Sequence, residues 1–138
     1  MTIKESEAEI ISEFDLLDDW MDKYNYLIEL GKSLPEIDPA YKEDKYLIKG
    51  CQSRVWLHAS LENGLVVFKA DSDALITKGI AGLLVRVLSN QPASDIVETE
   101  LAFVDAIGLK EHLSPTRSNG LVSMIKQMKL YALALGNK

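Results

Sequence analysis

The residue with the clearest chemical potential is Cys51, the only cysteine in the chain. Its thiolate would be a strong nucleophile. It stands in Lys49-Gly50-Cys51-Gln52-Ser53, between two segments whose composition predicts strands. A strand–loop–strand tip is where a rigid scaffold presents a reactive group. Gly50 opens backbone conformations closed to other residues and lets another molecule approach closely. Backbone N–H groups from Gly50 to Ser53 could stabilise a thiolate or a persulfide. Lys49 and Arg54 flank the tip, where Coulomb attraction would lower the thiol pKa. An unperturbed thiol, with a pKa of about 8.5, is only a few per cent ionised at neutral pH. The bland alternative is a small buried apolar residue, the usual state of a lone cysteine. From the residues alone both readings stay open.

One cysteine excludes an internal disulfide, a four-thiolate zinc site and an iron–sulfur cluster held by this chain alone. His58 and His112 show no metal-ligand spacing, so no metal site is expected. A cysteine hydrolase needs a base beside its thiol. His58 is expected on the strand face opposite Val55 and Leu57, and His112 could approach only through tertiary folding. Neither has a motif around it.

The elements that must position the loop can be read from periodicity. Thr2-Ile3-Lys4-Glu5 has the form of a capping box, and Ile10, Ile11 and Phe14 follow on one helical side. Asp18 or Asp19 could cap a second helix carrying Trp20, Tyr24, Leu27 and Ile28 at core spacing. Gly31 suits its C-terminal cap, with Pro35 and Pro39 beyond. The acidic run Asp15–Asp19 reads as a solvated helix turn. The period then shortens. Lys45–Lys49, Arg54–Ser60 and Leu65–Ala70 predict three strands, the last two joined by the turn signal Glu62-Asn63-Gly64. Val55, Leu57 and Ala59 share the predicted core face, while Trp56 could cover a second apolar surface. Asp71-Ser72-Asp73 offers N-cap side chains for a helix over Ala74–Leu88. Gly79 and Gly82 inside it suggest close packing, since each costs about 1 kcal/mol in a helix interior. Gln91-Pro92 starts another helix, Ile96–Leu113 reads as broken helix interrupted at Gly108, and a last helix runs over Ser118–Leu135. Its Leu121, Met124, Ile125, Met128 and Tyr131 stripe reads as core. Helices, strands, helices make an α+β fold, and 138 residues suit one domain, 1–138.

Composition narrows the partners. Fifteen basic against twenty-one acidic side chains give a net charge of −6, which argues against nucleic acid. No apolar run approaches the roughly 18 to 20 residues that span a bilayer, so no membrane partner is expected. Met1–Glu9 lacks the basic start and apolar stretch of a signal peptide. The expectation is a soluble, cytoplasmic protein.

Gly50-Cys51-Gln52-Ser53-Arg54-Val55-Trp56-Leu57 resembles the Gly-Cys-Gln-Ser-x-Val-Trp-hydrophobic signature of the SufE family, sulfur acceptors of iron–sulfur cluster assembly. Three further stretches agree in order. Asp22-Lys23-Tyr24 through Leu27-Ile28-Glu29-Leu30-Gly31 and Leu34-Pro35 resembles the family's N-terminal helical segment. Asp71-Ser72-Asp73-Ala74 with Lys78-Gly79 resembles its strand-to-helix junction. His112-Leu113-Ser114-Pro115-Thr116-Arg117-Ser118-Asn119-Gly120-Leu121 resembles its C-terminal motif.

The strands and helices read above predict a three-stranded antiparallel sheet flanked by N- and C-terminal helices; the resemblance implies an α+β fold, SufE/IscU-like, shared with a class of cluster scaffolds, with the cysteine loop near a hydrophobic hollow at rest. It implies a sulfurtransferase-like accessory protein in which Cys51 takes sulfur, as a persulfide, from a SufS-like cysteine desulfurase. The sulfur then passes to iron–sulfur scaffold proteins. The partner carries pyridoxal phosphate, and this chain needs no cofactor. Gly50, Gln52, Ser53, Asp73 and Arg117 are the supporting residues. Arg117 either favours the Cys51 thiolate or forms a structural pair with Asp71 or Asp73. A homodimer is compatible with the resemblance. The competing readings are an acceptor for a paralogous desulfurase pathway, and an interaction domain with an inert cysteine. The Gln52-Ser53 pair favours the main branch over the paralogous one. A scaffold role is opposed by the single thiolate.

Overall fold

The N-terminal capping box forms. In the computed structural model, which describes residues 1–136, the Glu5 N–H donates to Thr2 Oγ1 at 3.1 Å and the Thr2 N–H donates to Glu5 Oε1 at 3.0 Å. This box starts α1 (Ile3–Asp15). Asp19 accepts from the Asp22 N–H at 2.9 Å and caps α2 (Trp20–Lys32). The acidic run between them is thus a helix end and a cap.

Gly31 does not end its helix. α2 continues to Lys32 and Ser33 is the C-cap. Gly31 is instead buried against α3 (Leu75–Leu88), where a Cβ would meet the Gly79 backbone nitrogen at 2.9 Å. A Cβ on Gly79 would come within 2.6 Å of the Leu27 carbonyl carbon. The two helices therefore touch backbone to backbone, which accounts for a glycine in the middle of α3. Gly82 is looser, its Cβ position 3.5 Å from the Leu30 carbonyl oxygen.

The sheet has two strands where the sequence predicts three. β1 (Val55–Glu62) and β2 (Leu65–Ser72) pair antiparallel, with Val55 opposite Ser72 and Glu62 opposite Leu65. Asn63 and Gly64 both take positive φ, 54° and 81°, which suits a tight hairpin turn. Lys45–Lys49 is not a strand. Asp44–Tyr46 winds into one 3₁₀ turn, so the Tyr46 and Leu47 N–H groups are used locally, on Glu43 and Asp44 carbonyls. Among the described residues the segment's backbone pairing with β1 is limited to an isolated bridge, Leu47 to Trp56, and the Ile48 N–H to the Val55 carbonyl (2.9 Å). The chain then turns away at Gly50, where φ is 91°.

The inner sheet face carries Val55, Leu57, Val66, Phe68 and Ala70, all buried. It packs on α3 and on α6 (Pro115–Gly136), whose Leu121, Met124 and Met128 complete the core. The outer face of β1 is covered by the segment before it. Tyr41 stacks on His58 at 3.7 Å between ring centres, and Lys42 Nζ lies 5.6 Å from the Trp56 ring. Between α3 and α6 the chain forms α4 (Ala93–Glu98), α5 (Phe103–Ala106) and a 3₁₀ turn at Lys110–His112. Gly108, with φ of 71°, breaks this stretch. α6 begins at Pro115, earlier than Ser118, because proline suits the first helical position and Ser114 Oγ accepts from the Arg117 N–H at 3.3 Å.

Candidate functional site

The Cys51 loop is held at its base and at its tip. At the base the Arg54 N–H donates to Asp73 Oδ1 (3.1 Å), and the Asp73 N–H donates back to the Arg54 carbonyl (3.3 Å). Ser72 Oγ donates to the same carbonyl at 2.8 Å and accepts from the Ala74 N–H at 3.3 Å. The expected side-chain cap of α3 from Asp71-Ser72-Asp73 therefore does not form. Ala74 is the N-cap residue, and Asp73 braces the start of β1 rather than the helix.

At the tip the loop lies on α6. Gly50 approaches Ser123 so closely that a Cβ would stand 2.6 Å from the Ser123 hydroxyl oxygen. Cys51 sits over Gly120, with its thiol 3.6 Å from the Gly120 carbonyl oxygen. A Cβ on Gly120 would be 3.5 Å from the sulfur. The loop, α3 and the first turns of α6 enclose a cavity of about 320 Å³ lined by Cys51, Gln52, Ser53, Thr77, Arg117 and Met124, among others.

Cys51 is half-buried. Burial pushes its thiol pKa up, with no other cause. Lys49 and Arg54 are exposed and do not offset that burial, contrary to the Coulomb lowering their positions in sequence suggest. Burial thus favours the protonated thiol over the thiolate.

Arg117 is exposed on the first turn of α6 and borders the Cys51 cavity. Among the described residues it forms no salt bridge. The carboxylates expected to pair with it are engaged elsewhere. Asp71 meets Lys42 at 2.7 Å and Lys78 at 3.3 Å. Burial opposes the Asp71 charge, yet hydrogen bonds from Lys42, the Ser72 N–H and Lys78 hold its carboxyl below the usual range. Asp73 faces the Arg54 backbone. The geometry thus brings together Gly50, Cys51, Gln52, Ser53 and Arg117, and sets Asp73 behind them as a brace.

Both histidines lie elsewhere. His58 stacks on Tyr41, and burial, with Lys69 nearby, holds its pKa below the ordinary value. His112 stacks on Trp20 at 3.9 Å, its Nδ1 3.0 Å from the Gly108 carbonyl oxygen. Neither lines the Cys51 cavity. Among the described residues no three His, Cys, Asp or Glu side chains are grouped to hold a metal ion. No helix there is long and apolar enough to cross a membrane.

Sequence reasoning missed Gly120, Ser123 and Thr77. The available signal was Gly120 itself. A glycine inside a long helix weakens it and marks a close approach, as it does at Gly79.

Fold and site define a class: an α+β protein that seats one half-buried thiol, on the loop entering a β-hairpin, against its last helix. Comparison with known proteins supplies the family. The SufE domain, described as an Fe–S metabolism associated domain, matches residues 8–132. A SufE-like protein of Rhizobium meliloti (strain 1021) is 42% identical over 126 residues, covering 88% of this chain and 90% of that protein. SufE-like protein 1, chloroplastic/mitochondrial, of Arabidopsis thaliana is 40% identical over 128 residues, covering 92% of this chain and 34% of that protein. A solution structure of a hypothetical protein from Thermus thermophilus superposes with a TM-score of 0.80 at 21% identity, over 96% of this chain and 97% of that one; it shares the fold. The chain belongs to the SufE family, and with it to Fe–S metabolism.

Proposed function

We propose that this chain takes the outer sulfur of a cysteine desulfurase persulfide onto Cys51, stimulates that enzyme by clearing its cysteine, and passes the sulfur on for iron–sulfur cluster assembly. The donor is a SufS-like desulfurase and the destination an iron–sulfur scaffold protein. The Cys51 thiolate attacks the outer sulfur of the donor's Cys–S–SH group. A bond from Cys51 to that sulfur forms, the donor's sulfur–sulfur bond breaks, and the donor cysteine leaves as a thiolate. The hydrogen stays on the transferred sulfur, so Cys51 ends as the persulfide and no outside oxidant or reductant is needed. A thiolate on the receiving protein repeats the exchange. The sulfane sulfur is generated on the donor, with the donor's own cofactor.

The observation that carries this reading is the seat of the only thiol: a glycine-flanked loop tip over Gly120, beside a cavity of about 320 Å³ bordered by Arg117. One more sulfur, at a bond length of about 2.05 Å, fits in that space. Burial keeps the thiol protonated and guarded at rest. Lifting the loop toward the donor returns the pKa to the ordinary thiol range and releases the nucleophile where it is used. Arg117, free of other carboxylates among the described residues, offers the charge that favours the anionic sulfur.

The same burial favours the competing reading, an inert cysteine in an interaction domain. Alanine release by a desulfurase, measured with increasing amounts of this chain, separates the two. Wild type raises turnover and Cys51→Ser does not; equal stimulation by both forms would leave the inert-cysteine reading standing.

A further inference from the structure

α6 is apolar on two sides. One stripe, with Leu121, Met124 and Met128, is buried in the core. The other faces solvent: Val122, Leu130 and Leu133 keep 49%, 49% and 51% of their surface exposed. Lys126 lies on the same row, one turn from both Val122 and Leu130. Two open hollows flank this row and share Lys126 and Leu130. The first, of about 450 Å³, is floored by Val97 and Ile125 and edged by Lys110 and Lys129. The second, of about 490 Å³, is edged by Lys45 and reaches the cysteine loop through Lys49 and Ser123.

Five lysines border this face, and Glu100 is its one acidic lining residue. That is a local reversal of sign on a chain of net charge −6. Lys49, Lys110, Lys126 and Lys129 form no salt bridge among the described residues. Lys45 meets only Glu43, at 4.0 Å, and Lys129 donates to the Thr99 carbonyl. An exposed apolar row, here interrupted by Lys126 and rimmed by further lysines, marks an interaction surface. An apolar floor with a basic rim fits an amphipathic helix whose polar side is acidic.

We infer that the sulfur donor docks an acidic, apolar helical segment along the outer face of α6, ending at Lys49 beside Cys51. The identity of the partner rests on the sulfur-transfer reading; the shape and charge of the surface do not. The face runs into the cysteine loop, so a segment lying on it brings the donor's own cysteine to that loop. Because the rest of this chain is acidic, the patch also orients the encounter.

The test is titration calorimetry of the Cys51→Ser chain against a cysteine desulfurase at two ionic strengths, with and without Lys126→Glu or Leu130→Ser. Lys126→Glu is expected to weaken binding about tenfold and to flatten its salt dependence. Leu130→Ser weakens binding and leaves the salt dependence as it was. Both sites are exposed, so the thermal midpoint should hold. In chains that keep the thiol, alkylation of Cys51 by neutral iodoacetamide should run at the wild-type rate. Unchanged affinity and salt dependence in both variants would overturn the inference. So would sedimentation showing that both variants abolish self-association while donor binding persists, since a second copy would then be the occupant. Binding is read without the thiol. A wild-type chain that docks normally but acquires no sulfur would therefore refute sulfur transfer and leave the docking surface intact.

Discussion

Replacing Gly50 with alanine tests how the cysteine is seated. The native φ of 91° lies where a residue with a Cβ is strained, at a cost of about 1–2 kcal/mol. The new Cβ would also stand 2.6 Å from Ser123 Oγ and 3.5 Å from Ser123 Cβ. The hydroxyl can rotate away, but overpacking against the helix still costs about 1 kcal/mol. A loop that stayed seated would bear about 2–3 kcal/mol, lowering the thermal midpoint by roughly 6–10 °C. Lifting off α6 relieves part of that strain. Cys51 then leaves Gly120 and loses the burial that pushes its pKa up, so the thiol returns toward about 8.5. The assay is the rate of iodoacetamide alkylation from about pH 6 to about pH 10, across the thiol range, with the midpoint read by circular dichroism. Gly50→Ala should react faster at neutral pH, with a lower apparent pKa than wild type and a midpoint loss short of the full strain. Adding Ser123→Ala removes the hydroxyl clash without weakening the helix and leaves the φ strain, so the double variant should fall between the two. A Gly50→Ala chain with wild-type rate, apparent pKa and midpoint would refute this account of the seat.

Other perturbations separate function from support. Arg117→Ala should leave stability within about 0.5 kcal/mol of wild type and slow sulfur uptake; a large fall in midpoint with normal uptake would make the arginine structural. Asp73→Ala removes the acceptor of the Arg54 N–H. It should cost about 1–2 kcal/mol and speed Cys51 alkylation by loosening the base of the loop. Glu13 holds Arg86 at 2.8 Å, and the hydrogen bond from Arg86 outweighs burial in lowering the Glu13 pKa. A depressed folded-state pKa gives stability that is present above the unfolded value of about 4.3 and is lost as pH falls through the folded value. Denaturant midpoints on the acid side should thus fall less steeply in Glu13→Gln than in wild type.

Local rules predict much of this fold because much of it is set by local contacts. The Thr2–Glu5 box, the Asp19 cap, the Asn63-Gly64 hairpin and the break at Gly108 each need only neighbouring residues. The errors lie where distant contacts decide. Gly31 has the composition of a helix end, but Gly79, far along the chain, makes it a helix-contact residue. Lys45–Lys49 has strand composition, but its Tyr46 and Leu47 N–H groups are spent in a 3₁₀ turn, and the Ile48 N–H alone is left to bond the β1 backbone. Asp73 resembles a cap until the start of β1 competes for its carboxylate. The same limit applies to the site. The Gly50-Cys51-Gln52-Ser53 tip is legible as a place for chemistry. That α6 supplies its seat through Gly120 and Ser123 is not, because residues more than sixty positions apart meet only after folding. The flanking lysine and arginine suggest a lowered thiol pKa, whereas burial in the fold raises it.

Whether Cys51 carries transferred sulfur can be read on the protein itself. Intact-mass spectrometry without reductant, after incubation with an active cysteine desulfurase and free cysteine, tests it most directly. Wild type should gain one or more sulfur atoms, reversibly with a thiol reductant, and Cys51→Ser should gain none. An unmodified wild-type chain beside a turning-over desulfurase would contradict sulfur transfer to Cys51.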